Sequence, residues 1–264
     1  MAKQPSTNRA NRGSSAPQDR AAKIQAVQKA TSTGGANKIV IAGIVAILAI
    51  VFAVGGVIWN QKSNESDVAA GGNSVPAGAS VDGGLVTNAS VKLVDGAPTL
   101  ALYEDFQCPN CKAFEGAFGS AIKEIADSGK AKVSYHILNF LDERGTNQST
   151  MVANGAFCAL DQGKFMEFHN AAYAGQYPEG DTVTLDQVST FATAAGLSGD
   201  ALKTWQTCVK VGKYTNYVNA VDKNAFGTEG ITGTPSYKIN GELVDIKTIA
   251  TPDLLKAAVA KATK

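Results

Sequence analysis

Residues 99–127 read TLALYEDFQCPNCKAFEGAFGSAIKEIAD, an apolar run that passes directly into a longer periodic segment. The apolar run, 99–106, predicts a buried strand. Beyond it, large apolar side chains recur every three or four residues, which indicates one face of a helix over 109–127. The members of this face are Phe114, Phe118, Ile122 and Ile125. The sequence therefore predicts a strand followed by a helix, with Cys108 and Cys111 at their junction.

These two cysteines form a C-x-x-C pair at the predicted start of the helix. Pro109 suits the first helical turn, where its missing N–H is not needed. Cys108 would then lie beside unpaired backbone N–H groups and the positive end of the helix dipole, which stabilise a thiolate and lower its pKa. Cys111, one turn further in, can reach the Cys108 sulfur. This spacing suits a reversible disulfide.

The alternative use of a C-x-x-C pair is half of a zinc site. Such a site usually needs a second C-x-x-C pair or a matched pair of histidines. The remaining cysteines, Cys158 and Cys208, are 50 positions apart, and the two histidines, His136 and His169, are not paired. We therefore expect no metal site and no cofactor.

The rest of the sequence alternates between predicted strands and helices. Period-two patterns and an Asn-Gly turn predict further strands at 91–94, 132–140, 236–239 and 242–246. Apolar periodicity and terminal glycines predict helices at about 148–162, 164–174, 185–195, 199–225 and 251–262. The predicted order is β-β-α-β, a run of helices, and β-β-α.

Residues 39–59 contain no charged residue and no Asn, Gln or Pro, over a length that suits a helix crossing a bilayer. A cleaved signal peptide would have shorter apolar and basic regions. Residues 1–38 hold seven basic residues and one acid, a net charge of +6, so the rest of the chain, within a total of +1, carries −5. By the positive-inside rule the N-terminus is cytoplasmic and the residues after 59 lie outside. We expect a retained single-pass anchor in the cell membrane.

The segments on either side of this anchor are polar. Residues 1–38 have few large apolar side chains and are expected to be a disordered basic tail, whose charge serves topology rather than nucleic-acid binding. Residues 60–87 are predicted to be a linker punctuated by Gly and Pro. The composition, 44% hydrophobic and 18% charged, excludes wholesale disorder. One exported domain is therefore expected over 88–264.

Three segments of this domain share a pattern with a known family. Residues 103–111, YEDFQCPNC, are similar to the active-site strand and helix of the DsbA-like branch of the thioredoxin superfamily. Residues 158–169, CALDQGKFMEFH, resemble its helical insertion, and residues 233–235, Gly-Thr-Pro, resemble its cis-proline loop. The anchor and the extra cysteine pair resemble actinobacterial members. The resemblance implies an α/β, thioredoxin-like fold with a helical insertion at about 142–229, preceded by a single transmembrane helix.

The resemblance also implies an enzyme, a thiol–disulfide oxidoreductase that introduces disulfides into exported proteins outside the cytoplasm. A substrate thiolate would attack the oxidised pair at Cys108 and release Cys111, and a second substrate thiolate would complete the exchange. The catalytic motif would comprise Cys108, Pro109, Asn110 and Cys111.

Substrates and partners follow from the same resemblance. Thr234 and Pro235 would lie beside Cys108, where backbone can pair with an extended substrate segment. The expected partners are exported proteins with free cysteines and a membrane reoxidase of DsbB-like or VKOR-like type, with no nucleic acid. We expect a monomer. Isomerases of this superfamily usually add a dimerisation module, and residues 60–84 are too short and polar for one, which argues against an isomerase.

Two other functions stay open at this point. The first is a reductase or isomerase on the same fold. The second is a non-catalytic exported binding module that retains the disulfide, against which the intact cysteine pair and the Thr-Pro loop argue. The sequence does not indicate the direction of electron flow.

Cys158 and Cys208 lie in separate predicted helices of the insertion. Because thiols outside the cytoplasm persist as disulfides, we predict a structural bridge between them, the alternative being two buried free thiols.

A further question concerns a buried acid that the best-known oxidases of the family carry six positions before the first cysteine. Here that position is Leu102. One of the nearby Glu104 and Asp105 relays a proton to Cys111, or, as we favour, both are capping or surface carboxylates.

Overall fold

The computed structural model describes residues 72–264. The predicted tail (1–38), the predicted membrane helix (39–59) and the first part of the predicted linker (60–71) lie outside the described residues. Within residues 72–264, none of the helices combines the length and the apolar character needed to cross a lipid bilayer.

A central sheet organises the described part of the chain. Its strands are Ala79–Ser80 (β1), Gly84–Val86 (β2), Thr99–Asp105 (β3), Lys132–Leu138 (β4), Ser236–Ile239 (β5) and Glu242–Leu243 (β6), in the spatial order β1-β2-β4-β3-β5-β6. Strands β3 and β4 are parallel and the other neighbouring pairs are antiparallel. Strand β3 lies between two partners and is buried on both faces, which explains why its sequence is almost continuously apolar.

Helices cover this sheet and extend beyond it. They are Pro109–Asp127 (α1), Gln148–Leu160 (α2), Phe165–Ala174 (α3), Leu185–Ala194 (α4), Gly199–Lys210 (α5), Thr215–Gly227 (α6) and Pro252–Ala262 (α7), with short 3₁₀ helices at Phe140–Arg144 and Ile246–Ile249. Helix α1 connects β3 to β4 and packs beside α7, and α6 packs against β4. Helices α2 to α6 form the predicted insertion.

Cross-strand rows assign side chains to the two faces of the sheet. Leu102, Tyr135 and Tyr237 form one row on neighbouring strands. The Tyr237 ring stacks on Phe114 of α1, with ring centroids 4.2 Å apart, so this face of the sheet meets α1. Because side chains alternate along a strand, Glu104 points to the same face as Leu102, and Asp105 to the other.

The hydrophobic core continues from the sheet into the insertion, where it includes Trp205. This side chain is fully buried and donates its indole N–H to the Gly155 carbonyl oxygen at 2.8 Å. A Cβ atom on Gly155 would lie 3.0 Å from both Trp205 and Phe168, so glycine allows α2 to approach α5 closely. A disulfide between Cys158 and Cys208 also joins these two helices, as the predicted bridge requires.

The predicted N-terminal boundary of the domain is wrong. The predicted linker, 60–87, contains β1 and β2, and Leu85 is buried opposite Tyr135 of β4. These two strands are too short to show a periodic pattern, and they occupy the sheet edge beside β4. Residues 91–94, predicted as a strand, do not join the sheet, and Val94 is 44% exposed.

Three predicted elements also end elsewhere than expected. The predicted helix 199–225 is two helices, because Gly212 adopts a left-handed φ of 60° between α5 and α6. The strand predicted to reach 140 ends at Leu138, after which the Asn139 N–H donates to the Asp222 carboxylate at 3.0 Å. The strand predicted over 242–246 ends at Leu243.

Candidate active site

Cys108 and Cys111 lie where β3 passes into α1. Cys108 is the N-cap residue of α1, and Pro109 occupies its first turn. The two sulfurs are not bonded to each other in this structure, and both residues are buried, with 6% of Cys108 and 0% of Cys111 exposed. Pro109 and Asn110 are exposed. The motif therefore meets solvent at its middle, with the sulfurs just beneath.

The fold brings the predicted Thr-Pro loop to the first cysteine. The Thr234–Pro235 peptide bond is cis. The Cys108 thiol donates to the Thr234 carbonyl oxygen at a distance of 3.4 Å, across 126 positions of sequence. The residues predicted to carry chemistry and those predicted to bind substrate are thus in contact.

Hydrogen bonds lower the pKa of Cys108 to about 6. The largest contribution comes from the Cys111 thiol, which donates to the Cys108 thiolate. The Thr234 side chain and the backbone N–H groups of Cys111 and Asn110 act in the same direction, against the opposing effect of burial. The sequence predicted the direction from the helix N-terminus alone, whereas the neighbouring thiol has the larger effect.

Cys111 has the opposite chemistry. Burial raises the pKa of its thiol far above the usual range, and the hydrogen bond to Cys108 and the charge of Glu104 raise it further. A buried thiolate without compensating donors is costly, so Cys111 stays protonated. The pair therefore consists of an acidic outer sulfur and a neutral inner one, which suits attack at Cys108 followed by resolution by Cys111.

Glu104 is a buried carboxyl group, contrary to our preference for a capping or surface role. It is fully buried, and its Oε2 atom lies 2.8 Å from Nε2 of His169 on α3. Burial raises its pKa to about 7. At the position where the family carries its acid, Leu102 is a fully buried apolar residue. The buried acid of this site is therefore Glu104, which is the next residue after Leu102 on the same face of β3.

Asp105 has the predicted capping role, although it is buried rather than exposed. Its Oδ1 accepts from the Gln107 N–H at 2.8 Å and from the Ser149 hydroxyl at 2.5 Å, and its Oδ2 accepts from the Leu141 N–H at 3.3 Å. These bonds tie the loop after β3 to the insertion. Burial nevertheless raises the Asp105 pKa to about 7.

Sequence reasoning missed two glutamines that hold the active-site loop. Gln176 donates to the carbonyl oxygens of Phe106 and Cys108, at 2.8 Å and 3.0 Å. The Gln107 side chain bonds to the insertion through Asp142, Thr146, Ser149 and Gly180. No spacing or motif signals these contacts, because their partners lie 35 to 73 positions away in sequence.

His169 and Glu115 were also missed as members of the site. In the sequence, His169 lacks the spacing to His136 that a pair of zinc ligands would have. In the structure it is fully buried and contacts Glu104. Glu115 lies one helical turn after Cys111, and that i, i+4 spacing was the available signal.

Comparisons with known proteins agree with this arrangement. The sequence model of the thioredoxin family matches residues 95–260, which is more than half of the chain. The match includes β3, the cysteine pair, the insertion and the Thr-Pro loop.

Solved structures show the same fold with its insertion. MdbA, a thiol-disulfide oxidoreductase from Actinomyces oris, is similar in fold with a TM-score of 0.60 at 22% identity, covering 72% of this chain and 93% of that one. Oxidised DsbA from Mycobacterium tuberculosis is 26% identical, with a TM-score of 0.55 and coverage of 67% and 91%. Reduced DsbG, a disulfide bond oxidoreductase from the same organism, is 28% identical, with a TM-score of 0.55 and coverage of 67% and 85%.

A curated relative shares part of this domain. The serine/threonine-protein kinase PknE of Mycobacterium tuberculosis is 24% identical over 119 residues, which are 43% of this chain. The chain spans about a fifth of that kinase, 21% of its length. The family model, the structural matches and the cysteine geometry agree. The chain therefore belongs to the thioredoxin family, and the disulfide oxidoreductases DsbA and DsbG are among the solved structures to which it is similar.

Proposed function

We propose that this protein is a membrane-anchored oxidase that introduces disulfides into exported proteins. The observation that carries the direction is the asymmetry of the cysteine pair. Hydrogen bonds lower the pKa of Cys108 to about 6, while burial raises that of Cys111. A stabilised Cys108 thiolate favours the reduced enzyme, and an enzyme with a stable reduced form is a strong oxidant of substrate dithiols.

The reaction begins with the oxidised enzyme. A substrate thiolate attacks the Cys108 sulfur, forms a mixed disulfide and expels Cys111 as a thiolate. Cys111 then takes up one proton, because its buried site disfavours the charge. We assign the donor of this proton to Glu104, the buried carboxyl group whose charge acts on Cys111.

A second substrate thiolate completes the exchange. It attacks the substrate sulfur of the mixed disulfide and expels Cys108 as a thiolate. The substrate leaves as a disulfide, and the enzyme retains two electrons as a dithiol. Thr234 and Pro235 bind the substrate backbone beside Cys108, supported by the 3.4 Å contact between the Cys108 sulfur and the Thr234 carbonyl oxygen.

The location and partners complete the proposal. The N-terminus is cytoplasmic, residues 39–59 cross the cell membrane, and the catalytic domain faces outward, as the basic residues of 1–38 indicate. The Cys158–Cys208 disulfide supports an oxidising compartment. Exported proteins with free cysteines are the substrates, and a quinone-linked membrane reoxidase of DsbB-like or VKOR-like type accepts the electrons.

The reduction potential of the Cys108–Cys111 pair tests the direction. The protein is equilibrated with glutathione buffers and its thiols are counted after trapping. We expect a potential near about −120 mV, as for strong oxidants. A potential near about −270 mV, as for thioredoxin, would contradict the oxidase and favour a reductase.

Substrate trapping tests the mechanism and the location together. In Cys111→Ser, the resolving thiol is lost, so mixed disulfides between Cys108 and exported proteins should accumulate in the membrane fraction. The matched control carries Cys108→Ser as well and should trap none. Trapped partners drawn only from cytoplasmic proteins would contradict the proposed orientation.

An isomerase on the same fold is the second candidate, because a Cys108 thiolate in the reduced enzyme can also attack a wrongly paired substrate disulfide. Two rates distinguish an isomerase from an oxidase. An isomerase in its reduced form would reactivate a substrate with scrambled disulfides faster than its oxidised form introduces disulfides into the reduced substrate. The opposite ranking is expected here.

A further inference from the structure

Three titratable side chains meet behind the redox pair. They come from three elements: Glu104 from β3, Glu115 from α1 and His169 from α3. One side-chain oxygen or nitrogen of each lies within 4.8 Å of the others. Glu104 and His169 are fully buried, whereas Glu115 is partly exposed. Of the three, Glu115 alone has access to both the buried cluster and the surface.

The contacts of Glu104 require a proton between the two carboxyl groups. Its Oε2 atom and Nε2 of His169 lie 2.8 Å apart and share a hydrogen bond. Glu104 and Glu115 are also hydrogen-bonded to each other. Oε1 of each is buried, and among the described residues the Tyr173 hydroxyl is a further donor to Glu104. Two carboxyl groups bond only when one of them is protonated, and burial raises the pKa of both.

Helix α1 places Glu115 one turn after Cys111, at a partly exposed position. Cys111, Glu115 and Gly119 are spaced four residues apart, on one face of α1. A Cβ atom on Gly119 would lie 3.1 Å from the Glu115 Oε2 atom. Gly119, itself partly exposed, thus leaves room for this outer oxygen, while Oε1 faces the cluster.

We propose that Glu115 is the outlet for the Cys111 proton: Glu104 receives the proton, and Glu115 passes it to water beside Gly119. This inference rests on the proposed function. During reoxidation, Cys111 loses H⁺ to the carboxyl pair, and its thiolate attacks the Cys108 sulfur of a mixed disulfide. The partner leaves as a thiolate, and the proton leaves through Glu115. Because Glu115 acts through Glu104, it is a positioning residue rather than a catalytic one.

The other titratable groups around Glu104 do not compete for this task. Burial raises the pKa of Tyr135 on β4, Tyr173 on α3 and Tyr237 on β5, so all three stay neutral. Burial lowers the pKa of His169, which favours the uncharged form of its ring. Cys108 lies at the mouth of the site and is already a thiolate above pH 6.

A metal ion explains the cluster less well than a proton. Ligand atoms around tetrahedral zinc, at about 2.0–2.2 Å from the ion, are separated by roughly 3.3 Å. Nε2 of His169 and Oε2 of Glu104 are 2.8 Å apart, which is a hydrogen-bond distance.

The test separates the two steps of oxidation by glutathione disulfide. The full chain in detergent is reduced and mixed with glutathione disulfide in buffers between pH 5 and 9. Samples taken over time are quenched in acid. Mass measurement separates the mixed disulfide at Cys108 from the closed Cys108–Cys111 pair. Formation of the mixed disulfide at Cys108 does not require Cys111 to lose its proton, whereas closure of the Cys108–Cys111 disulfide does.

In Glu115→Gln we expect an unchanged first step and closure slowed about tenfold or more, with a changed pH profile. The matched control is Glu124→Gln, which makes the same substitution at an exposed position of α1 and should behave as wild type. Closure in Glu115→Gln at the wild-type rate and pH profile would overturn the outlet. The proposed function would survive that result, since its own tests are the reduction potential of the wild-type pair and the partners trapped by Cys111→Ser.

A second variant distinguishes proton transfer from structural support. Glu115→Ala opens a space that formate can enter, so added formate should restore closure, while the bulkier pivalate should not. Slow closure without rescue, or equal slowing of both steps, would assign Glu115 a structural role instead. One zinc ion per wild-type chain, lost in Glu115→Gln, would also overturn the proposal.

Discussion

The two cysteine pairs of this chain differ in almost every physical respect. Cys108 and Cys111 lie within one helical turn at the start of α1, whereas Cys158 and Cys208 join α2 to α5 across 50 positions. In the first pair, hydrogen-bond donors surround Cys108, and the charge of a buried carboxyl group acts on Cys111. Cys158 is buried among core side chains, and its polar contact is Asn154 Oδ1 at 4.0 Å.

This contrast shows that the surroundings, and not the cysteines, decide reactivity. A sulfur becomes a good nucleophile or leaving group where neighbouring donors stabilise its thiolate. Such donors are concentrated at the N-terminus of α1, where Cys108 also contacts Thr234. Within the insertion the sulfurs serve to join two helices. The Cys108–Cys111 pair is therefore suited to thiol–disulfide exchange, and the Cys158–Cys208 pair to a stable structural disulfide.

The largest effect is expected from removing the outer sulfur of the reactive pair. Cys108→Ala should lower the rate of dithiol oxidation by about a thousandfold or more, since no mixed disulfide can form at that position. The rate of disulfide formation in a reduced peptide measures this. The double variant Cys158→Ala, Cys208→Ala is the control and should retain its rate. If both variants lost activity equally, the contrast between the pairs would fail.

Removing the structural pair should affect stability instead. For a loop of about 50 residues, the chain-entropy account gives roughly 4 kcal/mol of lost stability in Cys158→Ala, Cys208→Ala. Urea unfolding of the oxidised protein measures the change. A variant as stable as wild type would show that the bridge contributes nothing to the folded state.

The pH dependence of stability should distinguish the redox states of the reactive pair. The Cys108 pKa is lowered from 9.0 to about 6 on folding, so the reduced protein gains stability as pH rises through this window and loses it as pH falls through 6. The slope is about 1.4 kcal/mol per pH unit. It is measured as the difference between the unfolding free energies of the reduced and oxidised proteins. Groups that do not interact with the Cys108 charge cancel in this difference, whereas Glu104, whose pKa that charge raises, does not. A flat difference between pH 6 and 9 would contradict the lowered pKa.

The smallest effect is expected at Asp105, which supports the loop without joining the chemistry. In Asp105→Asn, an amide N–H₂ replaces one oxygen and leaves the Ser149 hydroxyl or the Leu141 N–H without an acceptor, costing about 1–3 kcal/mol. Urea unfolding measures this loss, and the pH profile of oxidation should keep its shape. A shifted profile would instead make Asp105 the proton relay to Cys111.

Much of the site was predictable because it is local in sequence. The C-x-x-C spacing, the helix periodicity and the proline in the first turn all lie within 99–127, where short-range rules apply. The resemblance supplied the Thr-Pro loop and the insertion. The segment 79–86 was misread because strands of two and three residues carry no period.

The sequence by itself determined the redox pair, the first turn of its helix and the direction of the Cys108 pKa, since these depend on neighbours along the chain. Only the tertiary structure decided which acid is buried beside the pair. Glu104 and Asp105 are adjacent in sequence, but the alternation of β3 sends them to opposite faces. One meets His169 and Glu115, and the other meets Ser149 and Leu141. Such partners come from distant elements, and packing brings them together.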